Sequence, residues 1–270
     1  MTKITIIGAG GRMGCALIRC IDRADNLQLA GAAEWHGASV LGEDAGTVAG
    51  CSPQNVTIGK DLTAALQDAD IAIDFSAREA LVDNLRAVSE RGIPIVIGTT
   101  GLDDEMLKAV KQTSGKTPVL QAANMSTGVN VLLELTKQAA AILGMDYDIE
   151  IVETHHRHKK DAPSGTALAL AEAAAEGRNQ NLRSVMVHGR EGMVGARPPG
   201  EIGMHALRAG DVVGEHTIHL AAEGEKLEFT HRASNRDAFA LGALRAALWL
   251  VDRPAGLYDM RDVLGLRARK

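Results

Sequence analysis

A chain of 270 residues with 46% hydrophobic side chains is long enough for about two domains and for a core that needs no cross-links. The 34 acidic residues outnumber the 29 basic ones, and the net charge of −5 excludes a general attraction for nucleic acid or anionic membranes; no apolar stretch approaches membrane-spanning length. Cys15, Cys20 and Cys51 are the 3 cysteines and form no CxxC pair, which argues against a disulfide framework and, with MTKITII running directly into a strand pattern, makes the cytoplasm the expected location.

Over the first 125 residues short apolar runs alternate with amphipathic ones. KITII, LQLAGAA, DIAIDF, IPIVIG and TPVLQA read as buried strands, and segments 12–22, 61–69, 78–91 and 103–113 read as the helices between them. Such alternation predicts a parallel sheet covered by helices. TGVNVLLELTKQAAAIL, from Thr127, predicts one long helix, after which the texture changes. YDIEIVE, RSVMVHG, HTIHLAAE and KLEFTHRA alternate apolar with polar residues and are joined in part by tight turns such as Glu223-Gly224-Glu225, so they predict a mixed or antiparallel sheet. ALALAEAAAEG predicts a helix with Gly177 as its C-terminal glycine. RDAFALGALRAALWLV, from Arg236, is apolar on most faces and is expected to return to the first domain. The expected fold class is α/β: an N-terminal Rossmann-type parallel sheet over 1–126, completed by the C-terminal segment 236–270, and a second α+β domain over 127–235 with a mixed or antiparallel sheet.

GAGGRMG follows the first strand and opens a helix, with Gly8, Gly11 and Gly14 spaced by three. Small residues there allow a tight turn and let backbone N–H groups approach a pyrophosphate at a helix N-terminus. Glu34 closes the next strand 20 residues past Gly14, where a carboxylate can accept hydrogen bonds from both adenosine ribose hydroxyls. A plain strand-to-helix turn with a surface glutamate is the bland alternative, and cofactor binding is the better reading of the combination. Two later strand ends carry small polar turns, Gly98-Thr99-Thr100-Gly101 and Ala122-Ala123-Asn124-Met125-Ser126. Ligands of open α/β sheets lie beyond the carboxyl ends of the strands, so these turns are expected to border the nicotinamide end.

Of the 9 histidines only His36 precedes residue 150, so imidazole chemistry belongs to the second domain. ETHHRHKKDAPSGTAL, from Glu153, concentrates it. Whether the backbone there stays extended or coils into a helical turn, His155 and Lys159 can converge. A zinc site lacks a convincing ligand set, since adjacent His155 and His156 tend to point apart and no HExxH or cysteine pair completes it, so no metal is expected. A nucleic-acid patch lacks aromatic stacking partners and a wider basic field. A solvated basic loop accounts for the charges but not for Asp161-Ala162-Pro163-Ser164-Gly165-Thr166, which reads as a capped helix start with free N–H groups for an anion. A proton donor, cations and a carboxylate cradle on one loop suit a small acidic substrate that is protonated as it accepts a hydride.

GAGGRMG, Glu34, DFS followed by IGTTG, AANMSTGVNV, ETHHRHKKDAPSGTAL, GREG and EIGMHALRAGDVVGEHTI, in that order over nearly the whole chain, resemble the 4-hydroxy-tetrahydrodipicolinate reductase (dihydrodipicolinate reductase) family of bacterial lysine and diaminopimelate biosynthesis. The histidine block is the specific part; the glycine fingerprint alone would not be. The resemblance implies that Gly8, Ala9, Gly10, Gly11, Arg12, Met13 and Glu34 hold the adenosine and pyrophosphate of NADH or NADPH. It implies that Gly98, Thr99, Thr100, Ala122, Ala123, Asn124 and Met125 border the nicotinamide ribose and ring. It implies His155 as proton donor or acceptor, Lys159 as second proton donor, and His156, Gly165 and Thr166 as holders of the substrate carboxylates. It also implies a homotetramer formed through the second domain and hydride transfer to ring C4 of the dehydrated, conjugated cyclic dicarboxylate, giving tetrahydrodipicolinate. Two positions depart from the family pattern: Trp35 stands where an arginine is frequent, and Met125 where a phenylalanine is. With no arginine beside Glu34, NADH is expected to serve at least as well as NADPH. A dinucleotide-sensing protein of the same fold, or a reductase for another small dicarboxylate, are the competing readings.

Overall fold

The computed structural model describes residues 1–267; residues 268–270, the end of the segment expected to complete the first domain, lie outside the described residues. In chain order the elements are β1 (Thr2–Ile7), α1 (Arg12–Asp22), β2 (Leu27–Ala33), α2 (Ala45–Ala49), β3 (Ile58–Gly59), α3 (Leu62–Ala65), β4 (Ile71–Asp74), α4 (Leu81–Arg91), β5 (Ile95–Ile97), α5 (Asp104–Ser114) and β6 (Pro118–Gln121). Then come α6 (Thr127–Leu143), β7 (Asp148–His155), α7 (Gly165–Gly177), α8 (Leu182–Val185), β8 (Met186–His188), β9 (Ile202–Arg208), β10 (Gly214–Ala222) and β11 (Glu225–Ala233). The chain closes with α9 (Asp237–Leu250), β12 (Gly256–Tyr258) and α10 (Met260–Leu264). Two compact units result: Met1–Thr127 with the segment from Arg236 onward, and Gly128–Asn235.

In the first unit seven strands run in the order β12-β6-β5-β4-β1-β2-β3, all paired in parallel. Alternation along each strand sends side chains into two cores. Ile4, Ile6, Ile71, Ile73, Val96 and Leu120 pack with residues of α1 and α9, whereas Ile7, Ala72, Ile95, Ile97 and Val119 pack with α4 and Val110 of α5. A strand buried on both faces must read as a continuous apolar run, which is why these strands are legible. Each fully buried isoleucine contributes about 1.5–3 kcal/mol. α9 approaches closely because Gly242 carries no side chain; a Cβ there would lie 1.8 Å from the Met125 carbonyl oxygen.

The helix expected over 61–69 is a single turn, Leu62–Ala65. Asp61 caps it, Thr5 Oγ1 donates to the Ala65 carbonyl (2.7 Å), a turn over 66–68 follows, and Asp70 accepts from the Lys3 N–H (2.8 Å) just before β4. Over 78–91 the first three residues form a 3-10 turn before α4 begins. The periodicity also gave no warning of α2, β3, β12 and α10, which are too short to show one.

The second unit is a mixed sheet, β11-β10-β7-β9-β8, antiparallel across β11-β10-β7 and parallel across β7-β9-β8. Ile149 and Ile151 of β7, Met204 of β9, Ile218 and Leu220 of β10 pack under Leu132 and Ala140 of α6 and the alanines of α7. Small residues on α7 let it lie close to α6. Gly177 belongs to that packing and is not the left-handed C-terminal glycine the sequence suggests: Arg178 is the cap, and a Cβ at 177 would meet the Lys137 carbonyl oxygen at 2.4 Å. On the opposite face the side chains pair across strands, His219 with Glu228 (2.9 Å) and Thr217 with Thr230 (3.0 Å).

Candidate active site

The first unit builds a cradle from backbone. Gly8 turns the chain with a left-handed φ of +83°, and a Cβ on Gly14 would lie 2.2 Å from the Gly8 carbonyl oxygen, so neither position accepts a side chain. Gly11 precedes α1 and no side chain caps that helix, leaving the first-turn N–H groups of Arg12, Met13 and Gly14 for a ligand. Glu34, at the end of β2, accepts from the Gly10 N–H (2.9 Å) and the Trp35 N–H (3.0 Å), which holds its carboxylate beside the loop. Trp35 is 62% exposed and lies over Gly37, where a Cβ would collide with the indole at 2.2 Å. These features fit a dinucleotide: a glycine turn at an uncapped helix N-terminus, a fixed carboxylate and an exposed aromatic face.

Strand ends β4, β5 and β6 lie next to one another in the sheet. Thr99 turns its hydroxyl inward, donating to the Ser76 carbonyl (3.1 Å), and is buried, so what position 99 offers a ligand is backbone. Gly98 makes room for the Phe75 ring, and Gly8 packs against the Phe75 carbonyl. Buried Asp74 ties this corner together, accepting from the Ser76 N–H (2.7 Å) and Asn84 Nδ2 (2.9 Å), while burial pushes its carboxyl pKa up against those bonds. Asp74, Phe75 and Ser76 were not singled out as site residues; the polar DFS immediately after a buried strand was the available signal. Ala9 and Met125 are buried, so each can meet a ligand only through its backbone, and Asn124 uses its side chain to accept from the Ser126 N–H (2.9 Å). Arg12 and Ala123 are exposed and Ala122 is half-buried. Thr100 is exposed.

In the second unit the chain after His155 is neither extended nor helical but a tight turn, closed by the Lys159 N–H donating to the His156 carbonyl (3.1 Å). Lys159 Nζ donates to both oxygens of Asp161 (2.8 and 3.0 Å), which holds the Asp161 carboxyl below the usual carboxylate range. His155 donates from Nδ1 to Glu153 Oε2 at 2.6 Å. Glu153 is wholly buried, and burial by itself raises its pKa; a bidentate pair with Arg208 (2.9 and 3.0 Å), the His155 bond and the Ser164 N–H (3.1 Å) outweigh burial and keep it ionised. Ser164 caps α7 through Oγ, and Pro163 lies just outside the helix. Gly165 opens α7 with nothing within 4 Å of where a Cβ would stand. His156 is half-buried beside exposed His158, the ring centroids 6.3 Å apart, and Thr166 is half-buried in the first turn of α7. His216 of β10 stacks edge-on to His155 (centroids 5.2 Å apart) and lies 3.0 Å from Ser164 Oγ; burial pushes its pKa down to about 4, so it is neutral at pH 7. Glu153 was not singled out as a site residue; its place on the same alternate face of β7 as Ile149 and Ile151 was the available signal. Arg208 and His216 had no such signal, being brought in from strands 55 and 63 residues beyond Glu153. Among the described residues no group of three or more His, Cys, Asp or Glu side chains is placed to hold a metal ion, and no helix is long and apolar enough to cross a membrane.

Residues 2–125 match the family described as dihydrodipicolinate reductase, N-terminus, and residues 128–264 match dihydrodipicolinate reductase, C-terminus. The chain is 48% identical over 270 residues to 4-hydroxy-tetrahydrodipicolinate reductase of Anaeromyxobacter dehalogenans, covering 100% of both chains. It is 50% identical over 267 residues to the protein of the same name from Desulfotalea psychrophila, covering 99% of both. In fold it is similar to a dipicolinate-bound dihydrodipicolinate reductase from Paenisporosarcina sp. TG-14, with a TM-score of 0.74 at 24% identity over 96% of this chain and 97% of that one.

Proposed function

The chain belongs to the dihydrodipicolinate reductase family, and from that premise we propose how its own residues carry the family's reaction. Membership makes it a nicotinamide-dependent oxidoreductase, a 4-hydroxy-tetrahydrodipicolinate reductase with a role in lysine and diaminopimelate biosynthesis. Gly8 to Met13 hold the pyrophosphate through backbone N–H groups, and Glu34 takes the adenosine ribose diol. Gly98 to Thr100 and Ala122 to Met125 border the nicotinamide ribose and ring. Bound there, the nicotinamide supplies the hydride.

The second unit supplies the proton and the grip on the substrate, a small cyclic dicarboxylate. The N-terminus of α7 at Gly165 and Thr166, with His156, takes a carboxylate: the helix dipole favours an anion there, and the space before Gly165 lets it come close. His155 is the proton donor and Lys159 the second cation, kept in the turn by Asp161. The observation that carries this reading is the buried Glu153–His155 pair, because an ionised carboxylate sealed away from water beside a histidine equips that imidazole for acid–base work.

NADH serves at least as well as NADPH. Glu34 repels a 2′-phosphate, and Trp35 offers an aromatic face where a cation would be needed. Arg78 is engaged with the Gly101 carbonyl (2.9 Å) and Glu79, which leaves exposed Arg12 as the cation nearest in sequence to the loop. The protein works in the cytoplasm as a homotetramer, joined through the face of the second sheet opposite α7, where exposed Leu207 and half-buried Val152 accompany the cross-strand polar pairs. Neither nucleic acid nor membrane is a partner. The test is a coupled assay in which the family's synthase supplies the substrate and nicotinamide absorbance is followed with each cofactor. Oxidation of NADH at a rate at least equal to that of NADPH is expected; flat traces with both would overturn the reading.

A further inference from the structure

The second unit gives His155 a defined pair of surroundings, one at each ring nitrogen. Nδ1 faces Glu153, whose two oxygens are otherwise taken by the Arg208 guanidinium and the Ser164 N–H. An ionised carboxylate can only accept, so the 2.6 Å contact requires the hydrogen to be on Nδ1. Nε2 faces Gly214, the first residue of β10, and a Cβ there would stand 3.0 Å from Nε2 and 3.4 Å from Cδ2. The ring, pinned at Nδ1, has little freedom to move away from such an atom.

We propose that Glu153 and Gly214 are positioning residues for His155: Glu153, clamped by Arg208, fixes the proton on Nδ1, and Gly214 keeps Nε2 clear as the nitrogen that gives the proton to the substrate. This rests on the reading of His155 as the acid. In the step itself the Nε2–H bond breaks with its electron pair left on nitrogen and the proton passes to the substrate. A neutral imidazole with hydrogen on Nδ1 remains, and solvent returns the proton to Nε2. Glu153 stays ionised throughout and takes no proton. Its charge stabilises the imidazolium before the transfer, and its hydrogen bond prevents the ring from rotating.

The groups that face His155 come from every element packed against it. Glu153 lies on its own strand, Arg208 on β9 directly opposite in register, His216 on β10 with His231 paired beyond it on β11, and Lys159 and Asp161 in the following turn. Of these Glu153 is the one carboxylate with a hydrogen bond to the ring. Neutral His216 adds no positive charge against an imidazolium at pH 7.

Nitrogen chemical shifts of the His155 ring, read by NMR in the wild type without substrate, test the tautomer independently of turnover. Hydrogen on Nδ1 of the neutral ring is expected; hydrogen on Nε2 would overturn the proposal even if the enzyme proved fully active. Glu153→Gln keeps the shape and removes the charge. It should lower kcat at least tenfold, with KM for the substrate within about twofold and the Kd for NADH unchanged, and wild-type turnover would contradict the proposal. Gly214→Ala should lower kcat at least tenfold with KM for the substrate within about twofold. Turnover in that variant close to wild type would show that Nε2 is not the reacting nitrogen. Should Glu153→Gln fail to fold, the wild-type ring shifts and the alanine variant still decide.

Discussion

The glycine loop of the first unit and the histidine turn of the second are both positioned at the ends of strands, yet they are made of opposite materials. The loop works by what is missing: Gly8 and Gly14 let backbone pack where no side chain would fit, and the carboxylate brought in from the next strand, Glu34, is held by two backbone N–H groups. The turn works by what is buried, an ionised Glu153 between Arg208 and His155, with neutral His216 behind it. A cradle for a ligand recognised through phosphates and ribose needs donors and space, both of which main chain supplies. An acid needs its ring held in one orientation and tautomer, and a buried, hydrogen-bonded side chain does that.

The largest effect that sharpens this contrast is on chemistry. His155→Ala should lower turnover by about two to four powers of ten, and Lys159→Ala strongly as well, each measured in the coupled assay with thermal melting as the control for folding. A double variant within a few-fold of wild type would reduce both residues to solvated loop cations.

Acid should then separate the two units. Burial lowers His216 to about 4 from an ordinary 6.5, so the unfolded chain binds that proton first, and stability present above pH 6.5 is lost as pH falls toward 4. Glu150 follows lower down. Burial raises it, but Arg190, His205 and Arg197 bring it to about 2 from 4.5, and its contribution is lost between those values. Each represents up to about 3 kcal/mol. Asp74 in the first unit has the opposite sign: its pKa is raised, so its contribution is present in acid and is lost as pH rises through the folded value. Hydrogen exchange at pH 4.5 against pH 7 should therefore show amides of β7 and β10 losing protection while those of β4 lose less. Equal loss in both would refute the contrast.

How much of this the sequence displayed follows from the same difference. The parallel sheet was legible because its strands, buried on both sides, read as nearly continuous apolar runs, and the glycine loop drew notice through its place between a strand and a helix, with Glu34 at the next strand end. The second sheet was legible as alternation, which leaves mixed and antiparallel pairing both open; the pairing is mixed. Arg208 and His216 carry no local mark, since a residue that acts by burial against a partner 55 or 52 positions away looks like any polar residue of a strand. Gly177 misled for a related reason: a glycine near a helix end serves either backbone conformation or close packing, and only the neighbouring helix decides.

Cofactor choice is a finer effect. Trp35→Arg should shift the ratio of kcat/KM toward NADPH by about one to two powers of ten, the worth of one charge-assisted hydrogen bond to the 2′-phosphate. An arginine variant with no shift would mean that position 35 does not face the ribose. Smaller again is Gly165→Ala, where the added methyl meets open space in the protein. Melting should change by less than about 0.5 kcal/mol, while KM for the dicarboxylate rises a few-fold. An unchanged KM would remove Gly165 from the carboxylate site.

The division of labour between the two units is tested most directly by titrating NADH, through its fluorescence, into Gly14→Ala and into the His155→Ala, Lys159→Ala double variant. A Cβ at 14 would stand 2.2 Å from the Gly8 carbonyl oxygen, so Gly14→Ala should lose NADH binding. The double variant should bind NADH within a few-fold of wild type while its turnover is lost. Loss of NADH binding in the double variant in proportion to its loss of turnover, or normal binding in Gly14→Ala, would contradict the account.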